Sequence, residues 1–175
     1  MRTLYIIVDL QNDFIQGALG SDEALQAARR TCAFVQEAEG LFLLTQDQHG
    51  EDYLLSLEGQ GLPQPHCMAD SWGADIYPDL LKDLADKPYT ILPKSSFGAP
   101  TILPWLRDQD VDEIVLMGLC SDICVITNAL MLKAHYPEIP IKVKSSCMAA
   151  SCPENQERAL AILKACQIPD LDAEG

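Results

Sequence analysis

The chain has 175 residues, 48% of them hydrophobic, and a formal net charge of −14. That length suits one ordinary domain with a full core, and the composition excludes a disordered chain. The acidic balance argues against a basic face for nucleic acid or for an anionic membrane surface, and reads as a solubility feature.

The first apolar run, residues 4–9, predicts a strand that ends on the carboxylate of Asp9. A helix is expected over residues 21–39, capped by Ser21 or Asp22. Residues 41–46, 89–92, 113–118 and 141–144 read as four further strands, and a sixth at 167–170 is weakly marked. Helical patterns lie near 78–85, 100–108, 122–135 and 153–166. Strands that are apolar on both faces and separated by helices imply a parallel sheet covered on both sides. The expected fold is therefore α/β: a three-layer α/β/α, Rossmann-like arrangement with a central, mostly parallel sheet of five or six strands, residues 1–175 forming one domain. The stretch 47–73 is too long for an ordinary connection and reads as a binding loop or lid.

No apolar run reaches the length of a membrane span, and the opening stretch through Phe14 does not read as a secretory signal. A cytoplasmic protein with no membrane or nucleic-acid partner is expected. The seven cysteines include no C-x-x-C pair, so free and mostly buried thiols are expected rather than a disulfide framework.

In open parallel sheets ligands bind beyond the carboxyl ends of the strands. Asp9 follows the first strand there, Asp47 and His49 the second, and Lys94 the third. Past the fourth strand the chain runs through Gly118-Leu119-Cys120-Ser121 to Cys124. In the first turn of a helix capped by Ser121 or Asp122, Cys124 is expected as a thiolate, with Asp9 as proton acceptor and Lys94 as the balancing cation. Taken alone, that position does not distinguish Cys124 from an ordinary buried cysteine. Asp47-x-His49 places two donors on one side of the chain, and with His66 they make a set suited to Zn²⁺ or a similar ion. Trp72, Trp105 and the stripe Ile126, Leu130 and Ala134 are expected in the core or at a subunit contact. Cys147 and Cys152 flank a loop near the fifth strand, either buried or bordering the pocket, and His135 reads as a helix-surface residue.

Three segments in order carry a resemblance: Val8-Asp9-Leu10-Gln11-Asn12-Asp13-Phe14, Pro93-Lys94-Ser95-Ser96-Phe97, and Gly118-Leu119-Cys120-Ser121-Asp122-Ile123-Cys124-Val125. They resemble the isochorismatase-like cysteine hydrolases, a superfamily that includes nicotinamidases and carbamoylsarcosine amidohydrolases. The resemblance implies Asp9 as general base, Lys94 as catalytic lysine and Cys124 as nucleophile. It also implies a cis peptide between Leu119 and Cys120 and an oxyanion hole from the N–H groups of Cys120 and Cys124. Phe14 and Leu119 are implied at the substrate. Isochorismatase itself cleaves an enol ether and lacks the cysteine, so Cys124 points to an amidase working through a thioester.

Nicotinamidases hold a metal through an aspartate, a histidine two residues on, and a histidine before a cysteine. Thr45-Gln46-Asp47-Gln48-His49 and Pro65-His66-Cys67 match that layout, which implies a divalent ion, Zn²⁺ first, at Asp47, His49 and His66. Gln48 departs from it, standing where nicotinamidases usually carry a tryptophan, and residues 50–55 replace their H-x-S-F segment. The expected activity is thus hydrolysis of a small amide, nicotinamide leading and other amides or carbamoyl compounds behind it. A homo-oligomer, dimer or tetramer, is implied as well. The competing readings are a non-catalytic small-molecule-binding relative and a redox sensor pairing Cys120 with Cys124.

Overall fold

The computed structural model describes residues 1–173. Five strands form one sheet in the order β3-β2-β1-β4-β5, every neighbouring pair parallel. They are β1 (Thr3–Val8), β2 (Leu41–Asp47), β3 (Tyr89–Lys94), β4 (Glu113–Leu119) and β5 (Ile141–Ala149). β4 is buried at all seven positions and β1 at five of six, as continuous apolar runs require when helices cover both faces.

The helices are α1 (Asn12–Ile15), α2 (Asp22–Glu37), α3 (Leu57–Gly61), α4 (Pro78–Asp83), α5 (Ile102–Arg107), α6 (Ile126–His135) and α7 (Pro153–Ala165). α2 shows the logic: Ala24, Ala27, Ala28, Thr31, Cys32 and Val35 recur at helical spacing and are buried, and Ser21 Oγ accepts from the Ala24 N–H at 3.0 Å to cap the first turn. No helix among the described residues is long and apolar enough to cross a membrane.

One expectation changes. Residues 167–170 form no sixth strand; a single bridge joins Asp170 to Val143. The buried face of α6 is Asn128, Ala129 and Leu132; Ile126 and Leu130 pack half-buried against the core, and Ala134 is exposed. Trp72 is 55% exposed on the lid, whereas Trp105 packs against the core. Cys147 is buried within β5, and Cys152 borders a 590 Å³ cleft between α2 and α7. His135 is exposed, as expected.

Sheet order places the site. The chain adds β2 and β3 on one side of β1, then crosses to add β4 and β5 on the other, so the topological switch lies between β1 and β4. The two strands approach closely there. Gly118 pairs with Val8 and has φ +111°, and a Cβ on it would lie 2.2 Å from the Val8 carbonyl oxygen. Only glycine meets both conditions.

Candidate active site

Asp9 leaves β1 with φ 48°, a sparsely populated conformation of the kind found at functional sites. Its carboxylate is fully buried and divided between two partners: Thr45 Oγ1 donates to Oδ1 at 2.6 Å, and Lys94 Nζ lies 2.8 Å from Oδ2. Lys94, the last residue of β3, is in register with Asp47, the last of β2. Its Nζ reaches Asp47 Oδ1 at 3.1 Å, the Ser96 carbonyl at 2.8 Å and Cys124 Sγ at 3.7 Å. Strand ends from β1, β3 and β4 thus bring Asp9, Lys94 and Cys124 together.

Cys124 sits in a wide turn, Ser121–Val125, in which the Val125 N–H bonds the Cys120 carbonyl five residues back. Neither Ser121 nor Asp122 caps it. Ser121 Oγ donates to Gln156 Oε1 at 2.6 Å, and the Asp122 carboxylate accepts from the N–H of Ser151 and the amide of Asn155, each at 3.0 Å. Both side chains tie the turn to the start of α7 instead. The peptide between Leu119 and Cys120 is cis.

The surroundings of the sulfur run against its ionised form. Burial, and after it the Asp9 carboxylate, push the Cys124 thiol well above its ordinary value, and Lys94 only partly offsets them. Burial and the Asp9 carboxylate thus favour the thiol form over the thiolate that the helix-turn position suggests. Burial pushes Asp9 up as well, against the pull of Lys94. Burial disfavours the Lys94 ammonium, but Asp9, Cys124 and Asp47 outweigh it and hold its pKa above the usual lysine range. Cys120 is pushed to about 12, mainly by burial. An anionic base, a permanent cation and a neutral thiol in contact can pass one proton from sulfur to carboxylate without creating net charge in a low-dielectric site.

Beside this trio, Asp47, His49, His66 and Glu58 point donor atoms at one spot, all within 4.8 Å of one another. His66 Nε2 lies 3.7 Å from Asp47 Oδ2 and 3.9 Å from Glu58 Oε1, and His49 Nε2 lies 3.6 Å from Glu58 Oε1. A tetrahedron with bonds of about 2.1 Å has edges of about 3.4 Å, so these donors could close on a divalent ion with small movements. The Gln64 carbonyl accepts from His66 Nδ1 at 2.9 Å, which leaves the Nε2 lone pair facing the cluster. His49 is bonded to Asp47 at 2.8 Å, and that bond raises the imidazole pKa over the opposing effect of burial. Burial works to raise Asp47, but His49 and Lys94 outweigh it and hold the carboxyl below its usual range. Asp47 thus faces the donor cluster with Oδ2 and Lys94 with Oδ1.

Phe14 is buried against His66, ring centroids 5.4 Å apart, and Leu119 is buried at the end of β4. Tyr53 packs on both imidazoles, at 4.7 and 5.2 Å. Gln11 clamps the end of β2: Oε1 accepts from the Asp47 N–H at 2.7 Å, and Nε2 donates to the carbonyls of Asp47 and Ala74, both at 2.8 Å. The sequence reading missed Glu58, Tyr53 and Thr45. Thr45 carried a usable signal, since it lies two residues before Asp47 on the same side of a strand adjoining β1. Glu58 and Tyr53 carried none, because only the lid's path brings them to the histidines.

The fold is a parallel α/β sheet with a cysteine, a carboxylate and a lysine converging at its switch point, beside a nitrogen–oxygen donor cluster. The chain belongs to the isochorismatase domain family, which it matches over residues 3–174. Curated relatives include a nicotinamidase of Escherichia coli, 29% identical over 161 aligned residues covering 73% of this chain and 76% of that protein. Another is a nicotinamidase/pyrazinamidase of Mycobacterium tuberculosis, 30% identical over 140 residues, 71% of this chain and 75% of that one. Among solved structures, a pyrazinamidase of Pyrococcus horikoshii in complex with zinc superposes with a TM-score of 0.83 at 25% identity, covering 98% of this chain and 99% of that one. The chain lies in the nicotinamidase-related branch and is a hydrolase acting on amide carbon–nitrogen bonds other than peptide bonds.

Proposed function

We propose that the protein hydrolyses a small carboxamide, nicotinamide first among candidates, through a thioester on Cys124. The observation that carries this reading is the convergence of Asp9, Lys94 and Cys124, with Nζ 2.8 Å from the carboxylate and 3.7 Å from the sulfur. Asp9 takes the thiol proton as the sulfur attacks the amide carbonyl, and Lys94 balances the charge that leaves the sulfur. The backbone N–H groups of Cys120 and Cys124 receive the tetrahedral oxyanion. Protonated Asp9 returns its proton to the leaving nitrogen, ammonia departs, and the acyl group stays on sulfur. Asp9 then deprotonates a water that attacks the thioester carbonyl, releasing the carboxylic acid and restoring the thiol.

Asp47, His49, Glu58 and His66 would hold a divalent ion, Zn²⁺ by the nature of the donors, whose positive charge would anchor a heteroatom or a water beside the substrate. The step chemistry belongs to the trio. Phe14 and Leu119 would border the substrate. The exposed Leu54, Leu55 and Leu57 on the lid are apolar surface of the kind subunit contacts cover, which supports the homo-oligomer the resemblance implies.

A second reading, a more polar amide or a carbamoyl compound, is favoured by the cavity of about 330 Å³ beside His49 and Glu58. Gln48, Ser56, Ser95 and Ser96 line it together with Tyr53, and none of the trio does, so it bears on the lid side of a substrate rather than on its reacting carbon. Ammonia release from a panel of nicotinamide, pyrazinamide, aliphatic amides and carbamoyl amino acids tests both readings. Turnover of at least one is expected; silence across the whole panel with zinc supplied would remove the amidase proposal.

A further inference from the structure

Asn128 is fully buried on α6, one turn beyond Cys124, and spends its amide on two other segments. Nδ2 donates to the Cys124 carbonyl at 2.8 Å and to the Phe97 carbonyl at 3.2 Å, while Oδ1 accepts from the Ala99 N–H at 2.8 Å. Phe97 and Ala99 belong to the stretch that directly follows Lys94, and within that stretch the Ser96 carbonyl accepts from Lys94 Nζ at 2.8 Å. One side chain therefore ties the backbone of the cysteine residue to the loop that grips the lysine ammonium.

We propose that Asn128 is a positioning residue that sets the distance between Lys94 Nζ and Cys124 Sγ, 3.7 Å in the structure; the inference rests on the thioester reading above. The argument starts from the lysine. Its side chain is a flexible four-carbon stem carrying a point charge. Two of its Nζ partners, Asp9 and Asp47, are carboxylates that draw the charge away from the sulfur. The Ser96 carbonyl is a third anchor, and it stays in place only as long as the loop does. Without the Asn128 bonds, the loop would keep no side-chain tie to α6 through Phe97 and Ala99, and Nζ would settle on the carboxylates. The sulfur would then lose the cation that stabilises its anionic form.

Packing alone does not call for asparagine here. Asparagine is a mediocre helix-interior residue, and an apolar side chain would suit a buried position better unless its polar atoms were needed. Their partners are two carbonyls and one N–H, which match the two donors and the acceptor of a carboxamide.

Asn128→Ser provides the test, because a serine hydroxyl can still bond the carbonyl one turn back but cannot reach the loop. Asn128→Asp keeps the acceptor for the Ala99 N–H and loses both donors. Two readouts are taken on each: steady-state kinetics on whichever panel amide is cleaved, and the rate at which iodoacetamide alkylates Cys124 at one neutral pH, followed on the Cys124 peptide by mass spectrometry. In both variants kcat should fall by about 10- to 100-fold with KM within about twofold, as a small misplacement of a charged group predicts. Alkylation should slow in parallel while the thermal midpoint stays within a few degrees. Alkylation needs no amide turnover, so it decides the role of Asn128 even if the amidase reading fails. Wild-type alkylation rates in the serine variant, or a KM increase at constant kcat, would overturn the proposal.

Discussion

The two halves of the site are built differently. Asp9, Lys94 and the turn bearing Cys124 hang from the ends of β1, β3 and β4, whose spacing the sheet ladder imposes. Of the donor cluster, Asp47 shares that anchorage, but Glu58 and His66 come from the long lid between β2 and α4, where α3 is only five residues long. A strand end is held by the whole sheet, whereas a lid residue is held by a few local bonds. Ser56, for example, fixes the start of α3 through the Gly59 N–H at 2.9 Å. The difference teaches where this protein can vary: the positions of Asp9, Lys94 and Cys124 are set by the core, whereas those of Glu58 and His66 are set by a loop, the part of a fold that tolerates change best.

Four measurements sharpen that contrast. Cys124→Ala should lower turnover by at least about 10⁴-fold, the scale seen when a nucleophile is removed, with the thermal midpoint within a few degrees because only one buried atom is lost. A collapse of the fold would mean that the sulfur is packing material. Glu58→Gln should weaken zinc affinity by about 10- to 100-fold in a direct metal titration and leave Cys124 alkylation unchanged; equal loss in both would show that the two halves are one unit.

The third uses pH. Burial raises the folded-state value of Asp9 above 3.8, so the base is lost to protonation below that raised value, and the acid limb of kcat/KM should lie above pH 3.8. Stability runs the other way. A raised carboxyl contributes stability that is fully present below 3.8 and is lost as pH rises through the folded-state value. The difference in thermal midpoint between wild type and Asp9→Asn should therefore move against the wild type across that window, and a constant difference would contradict it. The smallest effect belongs to a control outside both halves. Ser21→Ala removes the α2 cap and should cost about 1 kcal/mol in urea unfolding with turnover unchanged.

Much of the fold was legible because its signals are local. The continuous apolar run of β4 and the alanine-rich face of α2 each announce their element without reference to the rest of the chain. The last strand was read as four residues and is nine, because Ser145 and Ser146 interrupt the apolar pattern and only their backbone bonds to Asp170 and Asp172 show how that polar stretch is accommodated.

The sequence by itself determined the parallel sheet and the order of its strands along the chain, and through the resemblance of three short motifs to a known family it pointed to Asp9, Lys94 and Cys124. The strands follow from hydrophobic periodicity, and the three residues from motifs whose meaning comes only with the resemblance. Tertiary structure alone decided that burial and Asp9 raise the Cys124 thiol, that Glu58 joins Asp47, His49 and His66, and that Asn128 links the lysine loop to the cysteine. The reason is physical: burial, charge proximity and hydrogen-bond pairing are relations between residues far apart in the chain, and they come into existence only when the backbone closes the distance.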